Sequence, residues 1–350
     1  MTLPDPAFWR GRRVLVTGAT GFKGGWLALW LARMGATVTG YALAPENDQG
    51  ICAAGGVARL ITPVTADIRH ESVLRECLHL MRPSVVFHLA ALGPRQHPVD
   101  TYDVNAVGTI KLLEELRRAR TARAAVIATS DAVYENTGRA CAESDRFGAR
   151  DTYAASKVAA ELAVTTFRDS LGARHRLQLA TVRPGCVIGG GSWAPARLVP
   201  DAMRAFTSGE TLLVRTPNAM GHWQYVLDTL CGYLLTAERL ASGDPMAASA
   251  WNFGADKAVS VRAMADKLVD AWNEDGWQET TAAWEEAGSG DAPVAAPVLD
   301  SDKARTALNW TPRFGLDQAV AATVTWHSAL ARGDDMAAVS ARMIEDYLDR

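Results

Sequence analysis

No stretch of the chain reaches the roughly 18 consecutive apolar residues that a membrane-spanning helix needs. Met1–Arg10 holds no apolar core of the kind a secretory signal carries. A membrane span and a signal peptide are therefore not expected, and a cytoplasmic location is. Cysteine is scarce: Cys52, Cys77, Cys141, Cys186 and Cys231 are five in number, with no CxxC among them. An odd count without paired spacing gives neither a disulfide framework nor a zinc motif, so no metal site is expected. Charge of one sign is lacking too. The 36 Lys and Arg against 39 Asp and Glu leave −3 at pH 7, which gives no electrostatic case for nucleic acid or a membrane surface. The basic run Arg117, Arg118, Arg120 and Arg123 ends a helical pattern, where cations suit the carbonyl end of a helix.

What is present is a long, half-apolar chain of 350 residues, 48% hydrophobic. That length suits one large α/β domain with a smaller appendage, or two modest domains. Short apolar runs at 13–17, 36–43, 83–90, 124–130 and 177–185 read as buried strands. They alternate with helical patterns at 24–35, 103–119 and 151–171. Such alternation specifies an α/β, doubly wound parallel sheet with helices on both faces. Beyond Gly185 the pattern breaks. Residues 186–222 read as irregular, a helix follows at 225–242, and 249–254 reads as one more strand. Helices are expected at 261–274, 301–310 and 316–333, and a surface loop or lid at 280–298. The expected division is a dinucleotide-binding domain of 1–185 plus about 223–256, and a smaller lobe of about 186–222 and 257–350.

The first strand–helix junction reads Thr17-Gly18-Ala19-Thr20-Gly21-Phe22-Lys23-Gly24. Gly18 suits a tight turn, Gly21 a close approach of backbone to a pyrophosphate, and Gly24 close helix–strand packing. The helix start then offers free N–H groups to phosphate. Thr20, Phe22 and Lys23 are expected beside the cofactor. The second strand ends Gly40-Tyr41-Ala42-Leu43, without the carboxylate that usually accepts the adenosine ribose 2′-hydroxyl. NAD is the expected cofactor, with NADP not excluded. Asp67 is placed for the adenine amino group. Ile68 beside it, Ala90 after the 83–90 run and Asn105 in the next helix complete the expected cofactor set.

Tyr153-Ala-Ala-Ser-Lys157 puts a phenol and an ammonium on one helix face. A nearby cation favours the phenolate, making Tyr153 a usable base for a hydroxyl proton as hydride leaves the carbon. Ser130, closing the 124–130 strand, is placed to hydrogen-bond the reacting oxygen.

Together these residues resemble the extended short-chain dehydrogenase/reductases, which act mainly on nucleotide-linked sugars. The blocks 17–43, 185–201, 223–226, 251–254, 311–316 and 325–327, with Phe8-Trp9 and Ser130-Asp131, are similar over the whole chain to the CDP-glucose 4,6-dehydratase subfamily. That resemblance implies oxidation at sugar C4, removal of the C5 proton, loss of the C6 hydroxyl and return of hydride to C6. A Ser or Thr, an Asp and a following Lys or Glu carry the elimination. Here Ser130 and Asp131 are present, but Ala132 stands third. The chain also departs where the subfamily has Asn (Cys186), Asp (Ser192), Arg (Gly221) and Gln (Leu92).

The resemblance implies an enzyme of C4 hydride transfer, epimerase- or ketoreductase-type because alanine moves no proton. The alternatives are a true dehydratase with another base, for which His222, Tyr225 or Glu135 could serve, and a non-catalytic NAD(P)-binding module. Arg197 and Arg215 are the remaining candidates for a substrate diphosphate. Trp193, Trp223 and the thiol of Cys186 are expected to line the pocket, Trp26 and Trp30 the core, and Gly189-Gly190-Gly191 to make a close turn. The family commonly dimerises through two helices, which here match 103–119 and 151–171.

Overall fold

The computed structural model describes residues 1–171, 176–255, 257–276, 281–288 and 297–350. Six strands appear in sequence: β1 Arg13–Thr17, β2 Thr37–Ala42, β3 Thr62–Thr65, β4 Val85–His88, β5 Ala124–Ala128 and β6 Gln178–Pro184. Four short strands, β7 Cys186–Ile188, β8 Leu212–Val214, β9 Met220–Gly221 and β10 Trp223–Tyr225, precede β11 Ala250–Phe253. β12 Val259–Ser260 and β13 Trp284–Glu286 follow. The large sheet has seven strands in the order β11-β6-β5-β4-β1-β2-β3, every pair parallel. The chain winds outward from β1 in one direction, then from β4 in the other. A crevice therefore opens beyond the carboxyl ends of β1 and β4, the place where such sheets bind ligands.

Strand side chains alternate between two cores, as a period of two requires. Val14 and Val16 belong to one cluster with Val85, Phe87, Val126 and Val182. Leu15 belongs to the other with Val86, Ala125, Ile127 and Leu179. The first face is covered by the helices Phe22–Arg33 and Val226–Ala241, the second by Glu71–Met81, Gly108–Ala119 and Thr152–Leu171. Trp26 and Trp30 are fully buried in the first core. Among the described residues no helix is long and apolar enough to cross a membrane.

Three expectations change. The helix read at 103–119 belongs to a longer helical run from Pro98 to Ala119, interrupted by one π turn at Asp103–Val107. Residues 186–222 are only partly irregular: β7 pairs with β10, the helix Leu198–Thr207 follows, and β8 pairs with β13. The strands' hydrogen-bond partners lie far along the sequence, so a local pattern could not show them. Part of the loop expected at 280–298 is strand β13, while residues 280 and 289–296 of that expectation lie outside the described residues.

The glycine triple is a packing device. A Cβ on Gly189 would meet Val226 at 2.6 Å, one on Gly191 would meet the Ile51 backbone at 2.6 Å, and one on Gly190 would lie in the Trp326 indole. The Trp26 indole N–H donates to the Gly190 carbonyl at 2.8 Å. The first helix, the glycine triple and the Trp326 region are thus one packed unit.

Candidate active site

The carboxyl ends of β1 and β4 are braced by a chain of hydrogen bonds. Ala90 N–H donates to Thr17 Oγ1 at 3.2 Å, which lies 2.7 Å from His88 Nδ1. His88 Nε2 lies 3.0 Å from Thr109 Oγ1, whose hydroxyl donates to the Asn105 carbonyl at 2.7 Å. Burial, then the charge of Lys157, pushes the imidazole pKa down to about 3. A neutral ring protonated on Nε2 satisfies every partner. His88 therefore ties the ends of β1 and β4 to the helix that carries Thr109.

On that frame the glycine turn fits a dinucleotide. Gly18 adopts φ +71°, and a Cβ there would meet Ala90 N at 2.7 Å. A Cβ on Gly24 would fall on the Gly18 carbonyl oxygen, so the helix start can lie against the strand only without a side chain. Gly21 caps the helix without any side-chain hydrogen bond, leaving first-turn N–H groups to a phosphate. Thr20 is half-buried beside them. Phe22 reaches Gly189.

Tyr41 donates its hydroxyl to the Asp67 carbonyl at 2.9 Å. The Asp67 carboxylate is held by Arg69, whose Nη2 lies 2.7 Å from Oδ2, and this hydrogen bond lowers its pKa. Asp67 is an oriented, ionised acceptor. Ile68 is buried against Gly108. Asn105 sits on the π turn with its amide spent internally: Oδ1 accepts from Leu92 N–H at 2.8 Å, and Nδ2 reaches the Leu92 carbonyl at 3.0 Å and Ser156 Oγ at 2.9 Å. It positions the strand-end segment 90–92 against the helix of Tyr153 rather than offering its side chain to a ligand.

The catalytic candidates converge where β5 ends. Ser130 donates to Asp131 Oδ1 at 2.8 Å and accepts from Ala132 N–H at 3.2 Å. Lys157 donates to the Ala128 carbonyl at 3.1 Å. The Ser130 hydroxyl also acts on the Tyr153 phenol, opposing the effect of burial on its pKa. Ser130 and Asp131 thus form one hydrogen-bonded pair at the end of β5. One expectation is corrected: the phenol pKa is raised, because burial outweighs the Ser130 hydrogen bond and the Arg197 charge. Lys157 itself is pushed down to about 7, by burial first and then by the charge of Lys23.

Two residues from other elements complete the cluster. Lys23 is lowered to about 8 by burial against the pull of Asp131. Arg197, at the start of the helix Leu198–Thr207, is exposed, yet its charge acts on Asp131, Lys23, Tyr153 and Cys186. Burial raises Asp131, with Arg197 and Lys23 opposing. The Cys186 thiol is pushed up to about 12 by burial and the Asp131 charge, so it lines the site without nucleophilic character.

Not every expected substrate residue gathers there. Arg215 is exposed after β8. The Trp193 indole donates to the Gln49 carbonyl at 2.8 Å and packs edge-on to His327, ring centroids 4.9 Å apart, clamping two loops together. Trp223, paired with Cys186, folds its ring over Gly221, where a Cβ would lie 2.6 Å from it. The position where the resemblance expects arginine is filled by indole.

The sequence reading missed the buried support of this cluster. Glu161, one turn beyond Lys157, accepts from Thr129 at 2.6 Å, Thr181 at 2.8 Å and Arg183 at 2.7 Å. Arg183 donates onward to the Tyr134 hydroxyl at 2.6 Å. Thr129 adjoins Ser130, so one carboxylate fixes the strand end against the helix of Tyr153 and Lys157. An acid at i+4 from Lys157 on a buried face was the available signal.

These features define a dinucleotide-dependent oxidoreductive centre of the extended short-chain type. The chain matches the NAD dependent epimerase/dehydratase family over residues 14–254. It is 38% identical to CDP-glucose 4,6-dehydratase of Salmonella typhimurium, over 98% of either chain. Its fold matches UDP-glucose-4-epimerase from Stenotrophomonas maltophila with a TM-score of 0.79 at 21% identity, covering 92% of this chain and 99% of that one. MoeE5, solved with UDP-glucuronic acid and NAD, gives 0.73 at 26% identity, covering 91% and 99%. The chain belongs to the NAD dependent epimerase/dehydratase family. It is an NAD-dependent enzyme of the nucleotide-sugar epimerase/dehydratase class.

Proposed function

We propose that the enzyme transfers hydride at C4 of a nucleotide-linked hexose. The observation carrying this reading is the hydrogen-bonded Ser130–Asp131 pair at the end of β5, where Lys157, one turn beyond Tyr153, donates to the Ala128 carbonyl beside the glycine turn. Gly18, Gly21 and Gly24 with the helix start would hold the NAD diphosphate, and Asp67 would accept from the adenine amino group. When bound, NAD supplies a hydride acceptor that can return what it takes. Tyr153 takes the C4 hydroxyl proton, and Ser130 holds the reacting oxygen. Lys157 shares a helix face with the phenol and is fixed by its bond to the Ala128 carbonyl. Arg197 is the cation available to a diphosphate, and Cys186 and Trp223 border the sugar.

With Ala132 in third place, epimerase- or ketoreductase-type chemistry needs no further proton-transfer group. Dehydration is the second reading. Asp131 favours it, because a carboxyl held beside Ser130 and raised by burial is a proton donor that an epimerase does not require. The relative of 38% identity bears the name of a dehydratase. Incubation of the protein with NAD and CDP-, UDP- and dTDP-glucose, followed by mass spectrometry, tests both. A product lighter by one water supports dehydration. An isomer of unchanged mass supports epimerisation. No change with any sugar or with their 4-keto derivatives plus NADH opposes the C4 reading.

We also propose the two-lobe division at about residue 186, and a homodimer through the two helical runs 98–119 and 152–171. Val99, Tyr102 and Ile110 on the first run and Leu162 on the second are exposed apolar side chains, and the two runs pack against each other.

A further inference from the structure

Where the β11 edge of the large sheet meets the helix Thr152–Leu171 there is a cavity of about 480 Å³, and Ser130, Asp131, Tyr153 and Lys157 do not line it. Its walls come from four places. The helix supplies Glu161 and Arg168, β6 supplies Arg183, the helix Asp302–Leu308 supplies Lys303, and the segment 142–147 supplies Glu143 and Ser144. Three cations thus stand beside two acids. One pair is spent: Arg183 donates to Glu161 through Nε at 2.7 Å and Nη2 at 2.8 Å. Glu143 accepts from the Asn252 N–H at 2.9 Å, and burial raises its pKa, towards the uncharged acid. Among the described residues, Arg168 and Lys303 are left without a carboxylate partner. Arg168 Nη1 is buried with no hydrogen-bond partner, and Nη2 reaches the Thr165 hydroxyl at 3.3 Å. Lys303 Nζ donates to Ser249 Oγ at 2.8 Å and to the Ala250 carbonyl at 2.7 Å, both neutral, and lies 4.3 Å from the Trp251 ring centroid. A guanidinium nitrogen left buried and unpartnered is costly, and an anion in the cavity meets it and Lys303 together.

We propose that this cavity is a second anion site, separate from the cofactor crevice, which takes the phosphate group of a small molecule between Arg168 and Lys303. Arg168 offers a planar guanidinium that can bond two phosphate oxygens, and Lys303 a point charge. A phosphate has a third oxygen for the Ser144 hydroxyl at the exposed rim, which a carboxylate lacks. The volume lies within the range of about 300–1,000 Å³ that small-molecule sites occupy. An occupant lies against Glu161 and Arg183, the pair that fixes the helix of Tyr153 to the sheet. The site stands whichever reaction runs at C4.

The test titrates inorganic phosphate into the full chain saturated with NAD, which fills the glycine turn, at fixed pH and with ionic strength held constant by sodium chloride. Calorimetry reads the dissociation constant, and thermal unfolding reads the midpoint. Wild type is expected to bind phosphate saturably, with a midpoint that climbs with phosphate concentration, and to bind acetate more weakly. Arg168→Met and Lys303→Met are each expected to weaken phosphate binding by about 10-fold or more with NAD affinity retained. Arg168→Lys, which keeps the charge, is expected to recover part of that loss. Arg197→Met is expected to bind phosphate as wild type does. Absence of saturable binding by wild type overturns the proposal, as does wild-type affinity in both Arg168→Met and Lys303→Met. Loss of binding in Arg197→Met alone overturns it by placing the anion in the substrate's diphosphate position. Acetate bound as tightly as phosphate overturns the phosphate assignment. Each of these results leaves C4 hydride transfer standing.

Discussion

Removing the Tyr153 hydroxyl removes the group that takes the C4 proton and leaves the glycine turn untouched. Tyr153→Phe is expected to lower kcat by about 100-fold or more with NAD affinity retained, measured by steady-state kinetics beside equilibrium binding. Gly221 gives a second prediction. Restoring arginine at this position would place a Cβ 2.6 Å from the Trp223 ring, so Gly221→Arg is expected to destabilise by about 1–3 kcal/mol, seen in denaturant unfolding, and not to improve nucleotide-sugar binding. At this scale the sequence was legible where function lies in short motifs. The glycine turn, Ser130, Asp131, Tyr153 and Lys157 each stand in a local pattern. The roles of Trp193 and Trp223 were not legible, because what each indole touches, Gln49 and Gly221, is decided by loop packing. The Tyr153 pKa was misjudged for a related reason: spacing reveals the neighbouring cation but not the burial that opposes it.

Two elements carry most of the site's geometry. The helix Thr152–Leu171 is fixed to β5 and β6 by Glu161, which is buried with Thr129, Thr181 and Arg183 around it. Removing one member of such a pair strands the other charge. Glu161→Ala is expected to cost about 3–5 kcal/mol, with Tyr153 and Lys157 losing their alignment and activity falling beyond what stability explains. The helix Val226–Ala241 carries Asp228, whose carboxylate accepts from Arg313 N–H at 2.6 Å and the Tyr347 hydroxyl at 2.9 Å, tying the C-terminal helices to the core. Burial outweighs these donors and raises Asp228 from 3.8 to about 6. The folded state therefore binds this proton more tightly than the unfolded chain. Stability from this group is fully present below pH 3.8 and is lost as pH rises towards about 6. The loss is of order 3 kcal/mol. Unfolding measured across that window in wild type and Asp228→Asn should show the slope in the first and a flatter profile in the second. A steeper profile in the variant would contradict the assignment. The alternation of strand and helix made these elements legible in the sequence, whereas Glu161 and Asp228 look like ordinary helix acids until their burial is known.

For the whole molecule, the parallel sheet with its reversal between β1 and β4 sets the carboxyl ends of β1, β4 and β5 side by side, which is where the glycine turn and Ser130 begin. The winding was legible in the sequence, as was 249–254 as one more strand of the large sheet, but not the pairing of β7 with β10, which joins distant segments. The exposed Val99, Tyr102, Ile110 and Leu162 lead to a prediction about assembly. Light scattering at micromolar concentration is expected to give twice the chain mass, and Ile110→Arg with Leu162→Arg to give the single-chain mass. A wild-type monomer would contradict the proposed interface.

The central claim is reversible hydride transfer at C4 of a nucleotide-linked hexose. Its most direct measurement is a single-turnover reaction of the NAD-loaded enzyme with CDP-, UDP- and dTDP-glucose, each compared with the same sugar carrying deuterium at C4. The account expects reduced-nicotinamide absorbance to rise with at least one of them, more slowly for the deuterated sugar, and not to rise in Tyr153→Phe. Absence of that rise with every sugar, or a rise that Tyr153→Phe leaves unchanged, would contradict it.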